Sequence, residues 1–410
     1  MKFKPLLYLF IIHCLITCIS CTAQDFKIAP LFKCSPKLKH PYGLCSHVDC
    51  TEESLAMCEI KAMKDLGAEC IRTDFGPYDF KIVRDTITGA KRISNIIRTL
   101  EDHNFDLLTV VGASSRRWAL TDTTAYFTFL EQLLDMYPKV PYWEVLNEVD
   151  LERGIDNKTE LYAQLLKSSF GFIKSTDKNK LVLYSGVTPS SMSFNDSVFN
   201  CVDMQCFDVM NMHTYSAPEK IYEELKVLKD VLSKHNYDCP VWITECGYPT
   251  AAQKPVTRDN KEKEQAIRLP RTYLICFASG VDKVFWYNSV ASEEVDDDIE
   301  DHFGIFHKDY TQKPACKSFS ALMKMCPSGS DRPILNIQNG LYLCEWRKPN
   351  GRHIYAIWSL KNTTVKVVTK GRYNTYDYNG QKIKPNPKNL RINNQITYFE
   401  GSRNFSLTIQ

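Results

Sequence analysis

The sequence predicts a (β/α)8 barrel followed by a small antiparallel β-sandwich, and three observations carry that prediction. Short apolar runs alternate with amphipathic stretches from about His40 to Met325, two of those runs end in a glutamate, and the texture changes to short alternating runs after about Ser328. At 410 residues the chain is too long for one average domain, and a barrel of about 250 residues plus a smaller module accounts for it. The expected boundaries are a signal at 1–21, a linker or strand pairing with the sandwich at 22–37, the barrel at 38–327 and the sandwich at 328–410.

Eight strands are expected in the barrel: His40 to Gly43, Glu69 to Asp74, Asp106 to Gly112, Pro141 to Glu148, Lys180 to Gly186, Phe207 to His213, Pro240 to Glu245 and Asp282 to Asn288. Several are almost wholly apolar, as strands covered on both faces should be. Between them, Tyr126, Phe129, Leu130, Leu133, Leu134 and Tyr137 fall at helical spacing, as do Ile221, Leu225, Leu228 and Leu232 behind Pro218, a residue suited to a first helical position. Thr51, Glu52 and Glu53 mark a helix start and Gly67 its stop. No GxGxxG opens a helix after a strand, which weakens a dinucleotide-binding alternative. Beyond Ser328, the runs Gly340 to Trp346 and His353 to Trp358 are separated by Pro349-Asn350-Gly351, and Asn379-Gly380 marks a further turn.

Composition excludes several classes. Hydrophobic residues make up 44% and charged residues 24%, enough apolar material for a sizeable core. The formal charge of +3 contains no basic block to track phosphates, so nucleic acid is not an expected partner. The first residues read as an export signal: Lys2 and Lys4 precede the apolar stretch Leu6 to Ile19, which is short for a membrane span. Cys18-Ile19-Ser20-Cys21 resembles a bacterial lipobox with Cys21 acylated, so the expectation is an exported, membrane-anchored lipoprotein whose only membrane contact is that lipid. The competing ending is cleavage after Ala23 and secretion. The 16 cysteines are unevenly spread, do not resemble a small disulfide scaffold and form no pair of CxxC units.

In a barrel of this kind functional groups gather at the carboxyl ends of the strands, so position along a strand decides what faces the common pocket. Glu148 ends the fourth run, Tyr142-Trp143-Glu144-Val145-Leu146-Asn147-Glu148, and Glu245 ends the seventh, Val241-Trp242-Ile243-Thr244-Glu245. They are separated by roughly a hundred positions, three βα units of about thirty residues. Two carboxylates delivered to one face suit paired acid/base and nucleophile chemistry, in which one must stay protonated and the other ionised. Met212-His213-Thr214-Tyr215 ends the sixth strand and Phe285-Trp286-Tyr287-Asn288 the eighth, adding aromatic and hydrogen-bonding groups, while Arg72 at the second strand end is placed to hold Glu245 ionised. Trp118 and His302 are further candidates for lining the pocket.

Over roughly residues 38 to 326 these motifs resemble the clan A glycoside hydrolases, retaining (β/α)8 enzymes with Asn-Glu after the fourth strand and Glu after the seventh. The resemblance implies Glu148 as acid/base, Glu245 as nucleophile and Asn147 as a partner of the sugar 2-hydroxyl. It implies His213 and Tyr215 as contacts of sugar and nucleophile, Trp286 as the platform under the sugar ring and Arg72 as the arginine beside the nucleophile. His302-Phe303-Gly304-Ile305, Lys313-Pro314-Ala315 and Asp377-Tyr378-Asn379-Gly380 look most like family 39 and its neighbours. The pattern departs from that family at Val149, where a proline usually stands, and sugar and linkage are left open. The implied substrate is a carbohydrate cleaved by polysaccharide-degrading chemistry without cofactor or metal. A non-catalytic carbohydrate-binding barrel and a hydrolase using Cys246 or a metal are the alternatives from other classes.

Overall fold

The computed structural model describes residues 26–410 apart from 50, 78–80, 84–85, 89–90, 203, 253–254 and 296; the expected export signal and Cys21 lie outside the described residues. Eight parallel strands form the barrel: β1 (Tyr42–Cys45), β2 (Cys70–Phe75), β3 (Asp106–Val111), β4 (Tyr142–Val145), β5 (Leu181–Leu183), β6 (Met210–Thr214), β7 (Val241–Cys246) and β8 (Val281–Trp286). Hydrogen bonding runs in the order β5-β4-β3-β2-β1-β8-β7-β6. The ring closes between β5 and β6 through the bridges Leu183 to Val209 and Val187 to Met212. Each strand falls where an apolar run predicts one, with no end moved by more than three residues.

Side chains alternate across each strand, so every strand has one face inside the ring and one toward the helices. Cys45, Cys70, Leu108, Leu183, Val209, Trp242 and Phe285 form the inner cluster, with Tyr142 packed against it, so seven strands contribute and Val209, directly before β6, completes the ring. Near the amino ends of the strands the interior turns polar: Lys283 Nζ donates to Asp106 Oδ2 at 3.2 Å and to the His40 carbonyl at 2.8 Å. A cavity of about 760 Å³ opens there, lined among others by His40, Asp106, Tyr142, Trp242 and Lys283, at the end of the barrel opposite the strand-end glutamates.

The outer faces are covered by helices. Thr123–Met136 forms because its apolar residues recur at helical spacing and because Asp122 accepts from Ala125 N at 3.1 Å, satisfying one orphan donor of the first turn. It buries Tyr126, Phe129, Leu130, Leu133 and Leu134, each contributing about 1.5–3 kcal/mol on removal from water. Glu53–Leu66 stops at Gly67, whose φ of +100° is a conformation that other residues adopt at a cost. No helix among the described residues is long and apolar enough to cross a membrane.

The accessory sheet has seven strands, in the order Phe26–Ile28, Ile334–Gln338, Leu341–Arg347, His353–Ser359, Thr397–Gly401, Tyr373–Tyr376 and Lys382–Ile383. Two ribbons, Thr363–Val365 with Leu390–Ile392 and Val367–Lys370 with Ser406–Ile409, cover one face around Ile357, Phe399 and Phe405. The other face docks on the barrel, where Trp346 Nε1 donates to the Met325 carbonyl at 2.9 Å and Trp358 Nε1 to Glu219 at 3.3 Å. A short hairpin in the loop after β2, Lys81–Val83 with Thr86–Thr88, has no counterpart in the sequence reading.

Candidate active site

Glu148 follows β4 through a sharp backbone turn. Leu146 and Glu148 both have positive φ, +62° and +45°, an arrangement that costs on the order of 1–3 kcal/mol per residue and persists only where surrounding contacts enforce it. Those contacts are present: Glu148 N donates to the Gly186 carbonyl at 2.9 Å, and Arg116 Nη1 donates to the Asn147 carbonyl at 3.1 Å. Glu245 reaches the same face because the register of β7 against β6 shifts between Ile243 and Glu245, which turns consecutive residues Thr244 and Glu245 toward the interior.

The two carboxylates offer oxygens within 4.8 Å of each other and of His213. Their surroundings differ. Glu245 Oε1 accepts from Arg72 Nη1 at 2.6 Å and Oε2 from the Tyr215 hydroxyl at 2.6 Å. Burial alone would raise the Glu245 carboxyl, but the His213 and Arg72 charges and the bonds from Tyr215 and Arg72 override it and hold it below its ordinary range. Glu148 Oε1 faces His213 Nδ1 at 2.9 Å, and His213 Nδ1 lies 3.5 Å from Glu245 Oε2.

The tautomer of His213 follows from its other neighbours. Asn211 Nδ2 donates to the Tyr184 carbonyl at 3.2 Å, which turns Asn211 Oδ1 toward Thr244. Thr244 Oγ1 spends its hydrogen on that oxygen at 2.5 Å, so His213 Nε2, 3.0 Å from the same hydroxyl, must be the donor. With Nε2 protonated, the contact between Nδ1 and Glu148 holds one proton, on the carboxyl or on the ring. Burial lowers His213 basicity, but the negative charge of Glu245, the hydrogen bond with Glu148 and the charge of Glu148 outweigh it and raise the imidazole above its ordinary range. Gly186 allows this placement, since a Cβ there would lie 1.9 Å from His213 Nε2.

Glu144, which the sequence reading passed over, is fully buried inside the barrel and grips Arg72 at two points, Nε to Oε2 at 2.8 Å and Nη2 to Oε1 at 3.0 Å. Arg72 Nη2 also donates to Asn147 Oδ1 at 2.8 Å, so one guanidinium links β2, β4 and β7. Its signal was available: a lone acid inside the apolar run of β4, two residues along from the inward-facing Tyr142.

Arg72, Asn147, Glu148, His213, Tyr215 and Glu245 are therefore brought together. Trp286 is not. Lys283, Phe285 and Tyr287 face inward, and Trp286 between them is 1% exposed in the core between barrel and helices, with no hydrogen-bond partner for its indole nitrogen among the described residues. Strand alternation overturns the platform expectation for Trp286, and the aromatic presented to the open face is Tyr287. Its ring meets Phe303 at 5.4 Å, His47 at 5.8 Å and Tyr215 at 6.2 Å. Trp118 packs edge-on against Phe129 at 6.0 Å, and His302 is fully buried with Nε2 3.1 Å from the Val295 carbonyl. Burial pushes the Cys246 thiol well up, which leaves no thiolate to attack a substrate.

Glu148, His213 and Glu245 have the spacing of a metal-ligand set. Glu148 Oε1 is already engaged with His213 Nδ1, and Arg72 and Tyr215 occupy both oxygens of Glu245.

No protein-family model matches the chain, and no curated protein sequence matches it. Solved structures do. A family 39 glycoside hydrolase from Bacteroides cellulosilyticus superposes with a TM-score of 0.71 at 17% identity, covering 90% of this chain and 82% of that one. A glucosidase from Croceicoccus marinus gives 0.65 at 10% identity, covering 93% and 99%. A family 39 β-xylosidase from Caulobacter crescentus gives 0.61 at 11% identity, covering 92% and 99%. The fold is thus the barrel with appended β-domain that these glycoside hydrolases share.

Proposed function

We propose that the chain is a retaining glycoside hydrolase that cleaves β-glycosidic bonds in an oligo- or polysaccharide, with Glu148 as acid/base and Glu245 as nucleophile. The observation that carries this reading is the approach of the two carboxylates to within 4.8 Å, with Arg72 and Tyr215 on Glu245 alone. Retention calls for about 5–5.5 Å between the groups, whereas inversion needs about 6.5–9.5 Å to admit a water.

In the first step Glu245 attacks the anomeric carbon and the glycosidic C–O bond breaks as Glu148 passes the one proton it shares with His213 to the leaving oxygen. Arg72 and Tyr215 hold the attacking carboxylate ionised and aimed. Esterification then removes the negative charge of Glu245, the main influence that holds a proton on His213. His213 is left neutral with Nδ1 unprotonated, and Glu148 is an anionic base able to take a proton from water. That water attacks the anomeric carbon, the ester bond to Glu245 breaks, and the proton is back on the Glu148 and His213 pair.

The test is turnover of defined β-linked oligosaccharides with products followed by NMR, which reads linkage and anomeric outcome together. Glu245→Gln should lower kcat by at least about 10³-fold. Glu148→Ala should lose about 10² to 10⁴-fold on poor leaving groups, with azide restoring turnover of activated substrates as the glycosyl azide. Full activity of Glu245→Gln on any substrate the parent cleaves would end the proposal. The same reading takes the enzyme as exported and lipid-anchored, and acyl labelling that survives Cys21→Ala would refute the anchor.

A further inference from the structure

Glu59 is a buried carboxylate that the chemistry above does not use. It lies on the helix Glu53–Leu66, 4% exposed, and its Oε1 accepts two hydroxyl hydrogens. One comes from Ser46 at 2.6 Å, directly after β1, and the other from Ser289, in the loop after β8. Ser289 N also donates to the Cys45 carbonyl at 2.9 Å, so a single oxygen joins the two loops across the seam of β1 and β8.

A carboxylate at this depth is costly, and a leucine would fill a helix-to-barrel contact without that cost. Burial pushes the Glu59 carboxyl up, and the two hydroxyl donors that partly offset this sit on different loops. Each of those loops delivers a side chain to the open face. His47 follows Ser46, and Tyr287 precedes Ser289 by two residues, which strand alternation keeps on the same inward side as the groups below it. The two side chains meet, His47 Nε2 3.4 Å from the Tyr287 hydroxyl with the rings edge to face. Tyr287 in turn packs against Tyr215, whose hydroxyl holds Glu245.

We infer that Glu59 is a positioning residue that fixes the His47 and Tyr287 wall against which the glycone seats, so that it governs substrate affinity without touching substrate. This rests on the glycosidase reading. The wall is made of two side chains from separate loops, and the carboxylate behind them sets their spacing.

The experiment compares Glu59→Ala with Glu59→Gln in the full chain on the best substrate found for the parent. Glu59→Ala should raise KM about tenfold with kcat within about threefold, because the loss falls on seating the sugar and not on the carboxylate pair. Glu59→Gln should keep KM within about threefold of the parent, since an amide oxygen can accept both hydroxyls. An unchanged KM in Glu59→Ala, or equal losses in the two variants, overturns the inference. Should Glu59→Ala fail to fold, Ser46→Ala and Ser289→Ala each release one arm, and their combination should raise KM by less than the product of the single effects; independent effects would count against the clamp. Should the parent cleave no glycoside, the glycosidase reading fails first, and amide hydrogen exchange still decides the clamp. Exchange over 46–49 and 287–290 should quicken in the alanine variants and not in Glu59→Gln, and no change in either sinks it.

Discussion

Arg72 and Glu144 form a two-point ion pair inside the barrel, at 2.8 Å and 3.0 Å, with both side chains shielded from solvent. The pair fixes the guanidinium plane, and the remaining N–H groups can then reach Glu245 and Asn147 only in the positions observed. Glu144→Gln should destabilise the fold by about 1–3 kcal/mol, since one buried N–H of Arg72 loses its acceptor while Glu245 still balances the guanidinium charge. Urea unfolding measures that loss. Activity of the folded fraction should fall as well, because Arg72 is then free to turn toward Glu245 alone.

The pH dependence of stability has a sign set by two neighbouring groups. Glu245 is held below its ordinary value of 4.5, so its stabilising contribution is present above that value and is lost as pH falls through the depressed one. His213 is raised above its ordinary 6.5, so its contribution is full below that value and is lost as pH rises through the raised one. The Tm difference between the parent and His213→Gln should therefore be largest at about pH 5 to 6 and shrink toward alkaline pH. A difference that grows with pH would contradict the assignment.

Trp286 and Tyr287 are adjacent and should respond to substitution in opposite ways. Trp286→Phe removes buried area and an indole nitrogen that has no partner, so it should cost about 1–2 kcal/mol of stability and leave KM unchanged. Tyr287→Leu should raise KM several-fold while Tm moves little. Steady-state kinetics with thermal melts on the two variants separates them.

Gly186→Ala tests the close approach of the segment after β5 to His213. The added carbon would sit 1.9 Å from His213 Nε2, so the ring must leave its bond to Thr244 or the strand end must move. The expected result is a drop in kcat with loss of the alkaline limb of the pH profile, read from kcat against pH.

Much of the fold was legible because parallel barrel strands, covered on both faces, appear as apolar runs, and eight such runs fixed the count. The positions of Glu148 and Glu245 followed from strand ends alone. What the runs conceal is facing. A run apolar on both sides hides which residues point inward, so the resemblance points to Trp286 where the structure presents Tyr287, and the run by itself gives no sign of the inward facing of Glu144. The register shift in β7 that turns Glu245 inward beside Thr244 depends on hydrogen bonding with β6 and leaves no local trace in the sequence. The clamp at Glu59 escaped for the same reason: its two serines lie in loops at opposite ends of the barrel sequence.

The strand Phe26–Ile28 pairs residue by residue with Leu335 to Ile337, more than three hundred positions onward. A contact of that span closes late in folding, since the intervening barrel must bring its two ends together before the pairing can form. Until then both partners present open strand edges, which are templates for pairing with other chains. Removing residues 328–410 would leave Phe26–Ile28 without its partner strand permanently. The barrel and its appended sheet are accordingly stitched into one cooperative body by the segment that enters it, and they should melt together.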